Sequence, residues 1–181
     1  MTLYQDHKAK WSNCADCLLS RNRRRVVLAR GKLPCEILLV GEAPGASENM
    51  LGKPFCGPAG KLLDYIMLHA WGNDYRNYAI TNLVACIPLT PDDRGKNTKA
   101  ADPPKEAIEA CEPRLNEFWG IADPLAVVAV GKLAKRHLGD SAVASIVHPA
   151  AILRADVSQQ DLAIQQSIVI LQNVRADLVP F

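Results

Sequence analysis

The chain has 181 residues, 49% of them hydrophobic and 22% charged, with a formal net charge of only +2. These proportions are ordinary for a soluble globular protein, and no apolar stretch approaches the roughly 20 residues that cross a bilayer. The polar N-terminus also lacks the apolar core of a signal peptide. We therefore expect a single domain over residues 1–181, in a monomeric cytoplasmic protein with no membrane partner.

Short apolar runs, typical of buried strands, alternate along the chain with longer amphipathic runs, typical of helices. The predicted elements, in order, are a short helix within 1–20, strand 36–41, helix 59–72, strand 78–86, helix 105–119, strand 124–131, helix 132–139, a short strand within 143–154 and helix 159–178. This alternation predicts an α/β fold: a three-layer α/β/α sandwich with a central, mainly parallel four-stranded sheet.

Three loops follow predicted strands, at 41–60, 82–104 and 148–154. In open α/β sheets, ligands bind beyond the carboxyl ends of the strands, so these loops are the candidate site. Within the second loop, residues 88–104 are rich in Pro, Asp, Gly and Lys and have no periodicity. We expect that stretch to be an exposed functional or mobile loop.

The first of these loops, GEAPGASENMLGKPFCGPAG at 41–60, is rich in glycine and proline. It lacks the G-x-G-x-x-G of a dinucleotide site and the G-K-[ST] of a P-loop, which argues against a nucleotide cofactor. It presents two acids, Glu42 and Glu48, and one large apolar ring, Phe55. A lone carboxylate is usually solvated or caps a helix, and a lone Phe usually lies in the core. The alternative is a rigid loop held against a flat ligand.

Two polar residues stand in the other loops. Asn82 in ITNLV carries a donor and an acceptor side by side, which suits the edge of a base or an amide. His148 precedes Pro149 and could donate a hydrogen bond to a developing anion. Each of them is otherwise an ordinary turn, cap or structural residue.

A basic segment, RNRRR at 21–25 followed by Arg30 and Lys32, stands near the N-terminus. It is either a solvated surface, as charge clusters usually are, or an edge that faces phosphates.

The six cysteines of a cytoplasmic protein argue against a disulfide framework. Cys14 and Cys17 form C-x-x-C, while Cys86 and Cys111 lie far away in the sequence. Four thiolates bind either zinc or an iron–sulfur cluster, and spacing alone does not choose between them. The remaining two, Cys35 and Cys56, are expected to be inert.

Taken together, these motifs resemble the iron–sulfur uracil-DNA glycosylases, called family 4. The resemblance covers nearly the whole chain and has five parts in order. They are the CADCLL pair with its basic segment, LLVGEAPGASENMLGKPFCGPAGKLLD, YAITNLVACIP, CEPRL and VHPAAILR. Asn49 stands where this family usually carries an acid, and Cys56 where it usually carries Val. The span between Cys86 and Cys111 is also longer than usual.

The resemblance implies an enzyme that flips uracil out of single- or double-stranded DNA and hydrolyses its N-glycosidic bond, without lyase chemistry. It implies a [4Fe–4S] cluster, or alternatively zinc, on the four cysteines Cys14, Cys17, Cys86 and Cys111. The base pocket would contain Phe55 stacked on uracil, Asn82 at its N3 and O4 edge, and Ala43.

For catalysis, the resemblance implies that His148 donates to uracil O2 as negative charge develops there. Glu42 would position water or stabilise the cationic sugar, with Glu48 as the second candidate. Residues that enter the minor groove and fill the vacated stack would be Ile152, Leu153 or Arg154.

Two other functions remain open at this point. One is an enzyme of the same superfamily that acts on another base, such as hypoxanthine or a modified pyrimidine. The other is a module that binds uracil-containing DNA without turnover.

Overall fold

The computed structural model describes residues 2–73, 75–91 and 97–178. Its strands are β1 (Ala29–Gly31), β2 (Ile37–Gly41), β3 (Tyr78–Asn82), β4 (Leu89–Pro91), β5 (Asn97–Ala100), β6 (Ala126–Val130) and β7 (Ala144–Ile146). Its α-helices are α1 (Leu3–Trp11), α2 (Ala46–Leu51), α3 (Pro58–Trp71), α4 (Lys105–Ala122), α5 (Lys132–Leu138), α6 (Pro149–Ile152) and α7 (Val157–Ala176). None of the helices in these ranges combines the length and the apolar character needed to cross a membrane.

The central sheet has the strand order β1-β3-β2-β6-β7. Strands β3, β2, β6 and β7 pair in parallel, as predicted, and every residue of β2 and β6 is buried. The fifth strand was not predicted: β1 pairs antiparallel with β3 and adds an edge. Its three residues are too short to give a periodic signal in the sequence.

Helices cover both faces of this sheet, which confirms the three-layer prediction. Successive residues of a strand point to opposite faces, so Leu38 and Val40 join one core cluster and Ile37 and Leu39 join the other. The first cluster takes side chains from α1, α4 and α5, and the second from α3, α6 and α7.

Some predicted boundaries were wrong. Strand 78–86 ends at Asn82 instead of residue 86, whereas the short strand predicted within 143–154 is confirmed as β7. Pro149 then starts α6, since proline suits the first turn of a helix. The 41–60 loop contains the short helix α2. Stretch 88–104 contains an antiparallel pair, β4 with β5, instead of irregular chain only, while residues 92–96 lie outside the described residues.

Candidate active site

Strands β2 and β3 end side by side, and this brings Asn82 to the centre of the candidate site. Gly41 and Asn82 are register partners in the parallel pairing. The Asn82 side chain is almost fully buried, and its Oδ1 has no hydrogen-bond partner among the residues that the structure describes. A buried polar atom without a partner is costly in a folded protein. Asn82 is therefore poised for a ligand.

Phe55 lies next to Asn82 at the same edge of the sheet. A Cβ placed on Gly41 would lie 2.3 Å from Asn82 Oδ1 and 2.5 Å from the Phe55 ring, so both side chains converge above this glycine. Phe55 has a backbone φ of 50°, in the left-handed region that non-glycine residues rarely adopt. Such strain persists only where the surroundings enforce it, and it is concentrated at functional sites.

Glu48 holds the loop that carries Phe55. Its Oε1 accepts hydrogen bonds from the backbone N–H groups of Cys56 and Gly57, each at 3.1 Å, and its Oε2 accepts one from Gly45 at 3.1 Å. The carboxylate thus ties the start of α2 to the residues just after Phe55. These contacts give Glu48 a positioning task, and its predicted catalytic role stays a prediction.

His148 lies between β7 and α6, with its ring beside Phe55. The two ring centroids are 5.8 Å apart, and the ring planes meet at 34°. Nδ1 of His148 accepts a hydrogen bond from the Ala150 N–H at 3.2 Å. Because a backbone N–H can only donate, the neutral imidazole must carry its proton on Nε2. The ring therefore keeps a donor free for a ligand.

The charges around His148 act on its pKa in both directions. Burial lowers the pKa below the ordinary histidine value, and the charge of Arg154 lowers it further. The carboxylates of Glu42 and Glu48 oppose this by raising the pKa, but burial dominates. The neutral form, with its proton on Nε2, is therefore favoured near pH 7.

Glu42 follows β2 directly and points toward the start of α5. Its Oε1 accepts a hydrogen bond from the Leu133 N–H at 2.9 Å. A Cβ on Gly131 would lie 2.2 Å from that oxygen, and the Gly131 backbone φ of 108° is one that other residues rarely adopt, so both features favour glycine there. The neighbouring Ala43 is partly buried and packs against the core cluster on the α4 side of the sheet.

The three residues predicted to enter DNA differ in exposure. Ile152 is only 1% exposed and belongs to the core cluster that takes side chains from α3 and α7. The burial of Ile152 favours the other two residues of this prediction, because α6 turns the Ile152 side chain inward. Leu153 is 45% exposed, and Arg154 is exposed as well. For these two, the predicted insertion stays a prediction.

A second feature is a cavity lined by all four predicted metal ligands, Cys14, Cys17, Cys86 and Cys111. Burial raises the pKa of the Cys86 thiol to about 11, with the charges of the other three cysteines adding to that effect and Arg23 opposing it. Within the described residues, no three His, Cys, Asp or Glu side chains converge closely enough to hold a single metal ion.

Two arginines line the cysteine cavity as well. Arg23 Nη1 and Arg114 Nε are both buried and have no hydrogen-bond partner in the described part of the chain. Four thiols beside unpaired cationic donors fit a negatively charged group, as an iron–sulfur cluster or a zinc ion bound by four thiolates would be.

Contacts between α1 and α4 bring the distant cysteines together. Glu117 of α4 accepts hydrogen bonds from Trp11 at 3.1 Å and from Lys10, and it pairs with His7 Nδ1 at 2.8 Å. These residues of α1 immediately precede the Cys14–Cys17 pair, and Cys111 lies on α4 itself.

The basic segment joins this cavity to the 41–60 loop, which carries Phe55. Arg23 Nη2 donates to the Cys14 carbonyl at 2.6 Å. Next to it, the Arg24 and Arg25 N–H groups donate to Asn49 Oδ1 of α2, at 2.7 and 3.4 Å. Asn49 thus accepts both hydrogen bonds through its amide oxygen. The family that the sequence resembles usually has an acid at this position.

Comparisons with known proteins identify the family of the chain. Residues 8–168 match the family described as the Uracil DNA glycosylase superfamily, and the chain belongs to that superfamily. It is similar to the type-4 uracil-DNA glycosylase of Pyrobaculum aerophilum, with 37% identity over 126 residues, covering 70% of this chain and 59% of the relative.

Relatives from two other organisms carry the same name. The protein of Saccharolobus solfataricus is 35% identical over 69% of this chain and 54% of its own length. The protein of Thermotoga maritima is 35% identical over 74% of this chain and 64% of its own length. The chain thus aligns with less than two thirds of each of these relatives.

Proposed function

We propose that this protein excises uracil from DNA by hydrolysis of the N-glycosidic bond and leaves an abasic site. One observation carries the proposal: the unpaired Asn82 amide oxygen, the strained Phe55 and the His148 donor meet at the carboxyl edge of the sheet. Relatives named type-4 uracil-DNA glycosylase support it.

Base recognition follows from the chemistry of the Asn82 amide. Uracil presents an N3–H donor beside an O4 acceptor, and an amide presents an acceptor beside a donor in the same plane. The buried and unpaired Oδ1 would gain its missing partner from N3–H. The Phe55 ring supplies an apolar plate on which the flipped base stacks.

Bond cleavage builds negative charge on the departing uracil and positive charge on the sugar. The Nε2–H of neutral His148, aimed at O2, forms a hydrogen bond that strengthens as this negative charge grows. It therefore stabilises the transition state more than the bound substrate.

Glu42 acts on the positive charge that develops on the sugar. Leu133 engages one of its oxygens, which fixes the carboxylate and leaves the second oxygen to orient a water or to face the cationic sugar. Gly131 leaves the space for this placement, because a side chain there would press on the Glu42 carboxylate.

For the cysteine cavity, we favour a [4Fe–4S] cluster on Cys14, Cys17, Cys86 and Cys111 over zinc. The preference rests on the resemblance to the iron–sulfur uracil-DNA glycosylases. The unpaired cationic donors of Arg23 and Arg114 beside the four thiols suit the negative charge of such a group. The group would supply a structural cross-link between the N-terminal pair, the segment after β3 and α4.

DNA would lie across the edge that carries these side chains. Leu153 and Arg154 project from the end of α6 next to His148, where they can fill the space that the base vacates. Arg24 and Arg25 are exposed beside α2 and offer charge to phosphates.

The test uses a labelled oligonucleotide with one uracil, single- and double-stranded, incubated with the protein and then treated with alkali. Scission at the uracil position by the wild-type chain, together with a strong loss in His148→Gln and no loss in the exposed control His69→Gln, is the expected result. Binding of the oligonucleotide without scission would leave only a binding module, and scission at hypoxanthine but not uracil would establish a different substrate.

A further inference from the structure

Arg114 is a charged side chain in the interior, and the proposed chemistry does not use it. It lies on α4 and is 2% exposed. None of the ion pairs among the described residues includes it. A buried charge is costly unless it is hydrogen-bonded and compensated, so this guanidinium calls for an explanation.

Most of its donors are directed at the end of β3. Nη2 donates to the carbonyl oxygens of Asn82 at 2.6 Å and Leu83 at 2.8 Å, and Nη1 donates to Thr81 Oγ1 at 3.1 Å. The Thr81 hydroxyl in turn donates to the Leu28 carbonyl at 2.7 Å. Arg114 thus fixes the backbone carbonyls of Asn82 and Leu83. Through the Thr81 hydroxyl it is also linked to the segment before β1.

The same side chain also borders the cysteine cavity. Arg114 lines it one helical turn after Cys111, and its Nε is buried without a partner in the described part of the chain. The compensating negative charge that this arginine lacks is what four thiolates around a bound group would provide.

We infer that Arg114 is a positioning residue that couples the charged cysteine site to the base-reading Asn82. One end of the guanidinium is stabilised by the occupied cavity, and the other holds the Asn82 backbone so that its amide faces the base. The inference rests on the proposed function for its catalytic consequence, but the coupling itself has a readout that does not depend on excision.

The experiment compares anaerobically purified holoprotein with three variants: Arg114→Lys, Arg114→Met and the control Arg136→Met. Arg136 is exposed on α5 and is not among the residues that line the cavity. Lysine keeps the charge but cannot bond three acceptors in the fixed geometry of a guanidinium. We expect iron per chain to fall at least twofold in Arg114→Met and to stay near wild type in Arg114→Lys and Arg136→Met.

Excision kinetics then test whether Arg114 acts through Asn82. We expect Arg114→Lys to lower kcat/KM at least tenfold in the wild-type background, but less than twofold when Asn82→Ala is already present. Residues that act through one another give such non-additive effects, whereas a general structural defect would be additive. An equal loss in both backgrounds would overturn the inference.

Iron content and amide hydrogen exchange separate this inference from the proposed function. If the wild-type chain does not release uracil, the proposed function fails, yet faster exchange at residues 82–84 in both Arg114 variants still supports the coupling. Iron content and exchange at residues 82–84 equal to wild type in Arg114→Met would overturn the inference whether or not uracil is excised. If Arg114→Met does not fold, Arg114→Lys decides through the exchange and the double-variant kinetics.

Discussion

Gly41 and Asn82 are register partners at the ends of two parallel strands, and the space that Gly41 leaves empty is occupied by the Asn82 amide. A Cβ at position 41 would lie 2.3 Å from Asn82 Oδ1 and 2.5 Å from the Phe55 ring. Gly41, the last residue of β2, therefore leaves the space in which the Asn82 amide and the Phe55 ring of the proposed base site come together.

Replacing Gly41 by Ala should displace both the Asn82 amide and the Phe55 ring. Overpacking of this kind costs about 1–3 kcal/mol of folding free energy. We expect Gly41→Ala to be folded at 25 °C but to excise uracil far more slowly than its lower stability explains. Urea unfolding and single-turnover excision measure the two effects separately.

A matched control for this change is Gly120→Ala. Gly120 lies within α4, and a Cβ there would meet nothing within 4 Å. Alanine in a helix interior is favoured over glycine by about 0.5–1 kcal/mol, so this variant should be slightly more stable and fully active. Excision at the wild-type rate by Gly41→Ala would contradict the claim that Asn82 and Phe55 depend on the space that Gly41 leaves.

Replacing Glu48 by Gln tests whether this acid positions the loop or takes part in catalysis. Glutamine has the same shape, but its amide nitrogen would face at least one of the N–H groups that now donate a hydrogen bond to the carboxylate. Leaving such a group unsatisfied costs about 1–3 kcal/mol. We expect both the free energy of unfolding and the excision rate to fall.

The exposed Glu109 serves as the control, since its pair with Lys105 is solvated and Glu109→Gln should be nearly neutral. A Glu48→Gln protein with wild-type stability and slow excision would instead assign the residue to catalysis.

The lowered pKa of His148 predicts a specific pH dependence. In the unfolded chain this histidine titrates at its ordinary value of about 6.5, whereas burial lowers its pKa in the fold. Protonation at Nδ1 would also break the bond from the Ala150 N–H. Excision should therefore persist below pH 6.5 and fall only as the pH drops through the lowered pKa.

The free energy of unfolding should also decrease toward acid pH. The unfolded chain binds more protons at His148 between the two pKa values, so the free energy of unfolding contributed by this group decreases as the pH falls through that window. His148→Gln should lack this contribution and should excise uracil about 10²–10³-fold more slowly than wild type. An acid limb above pH 6.5 that His148→Gln abolishes would contradict the assignment.

Much of the site's location was predictable from the sequence because one rule governs it. Parallel strands present their carboxyl ends at one edge, so polar residues just after apolar runs were expected to meet. Asn82, Phe55 and His148 do meet there. Their roles in the reaction stay predictions.

Other features depend on contacts that leave little trace in the sequence. Glu48 bonds to backbone N–H groups, which every residue except proline carries, so no motif marks its partners. Ile152 was predicted to face DNA, but a single turn of helix directs it into the core.

Arg114 did have a usable signal that was missed. Ala107, Ile108, Leu115 and Phe118 form the buried face of α4 at helical spacing, and Arg114 falls on that face. A charged residue on a buried stripe indicates a hydrogen-bonded interior group, although the sequence does not identify its partners.

The most direct test of the central claim compares Asn82→Ala with wild type in two measurements, thermal unfolding and single-turnover uracil excision. If Asn82 is held for a ligand, its unpaired buried oxygen contributes nothing to the stability of the free protein. The account predicts a melting temperature equal to or above wild type together with a loss of excision of at least about 10²-fold. A variant that unfolds at lower temperature but excises uracil at the wild-type rate would show that Asn82 is a structural residue and would contradict the account.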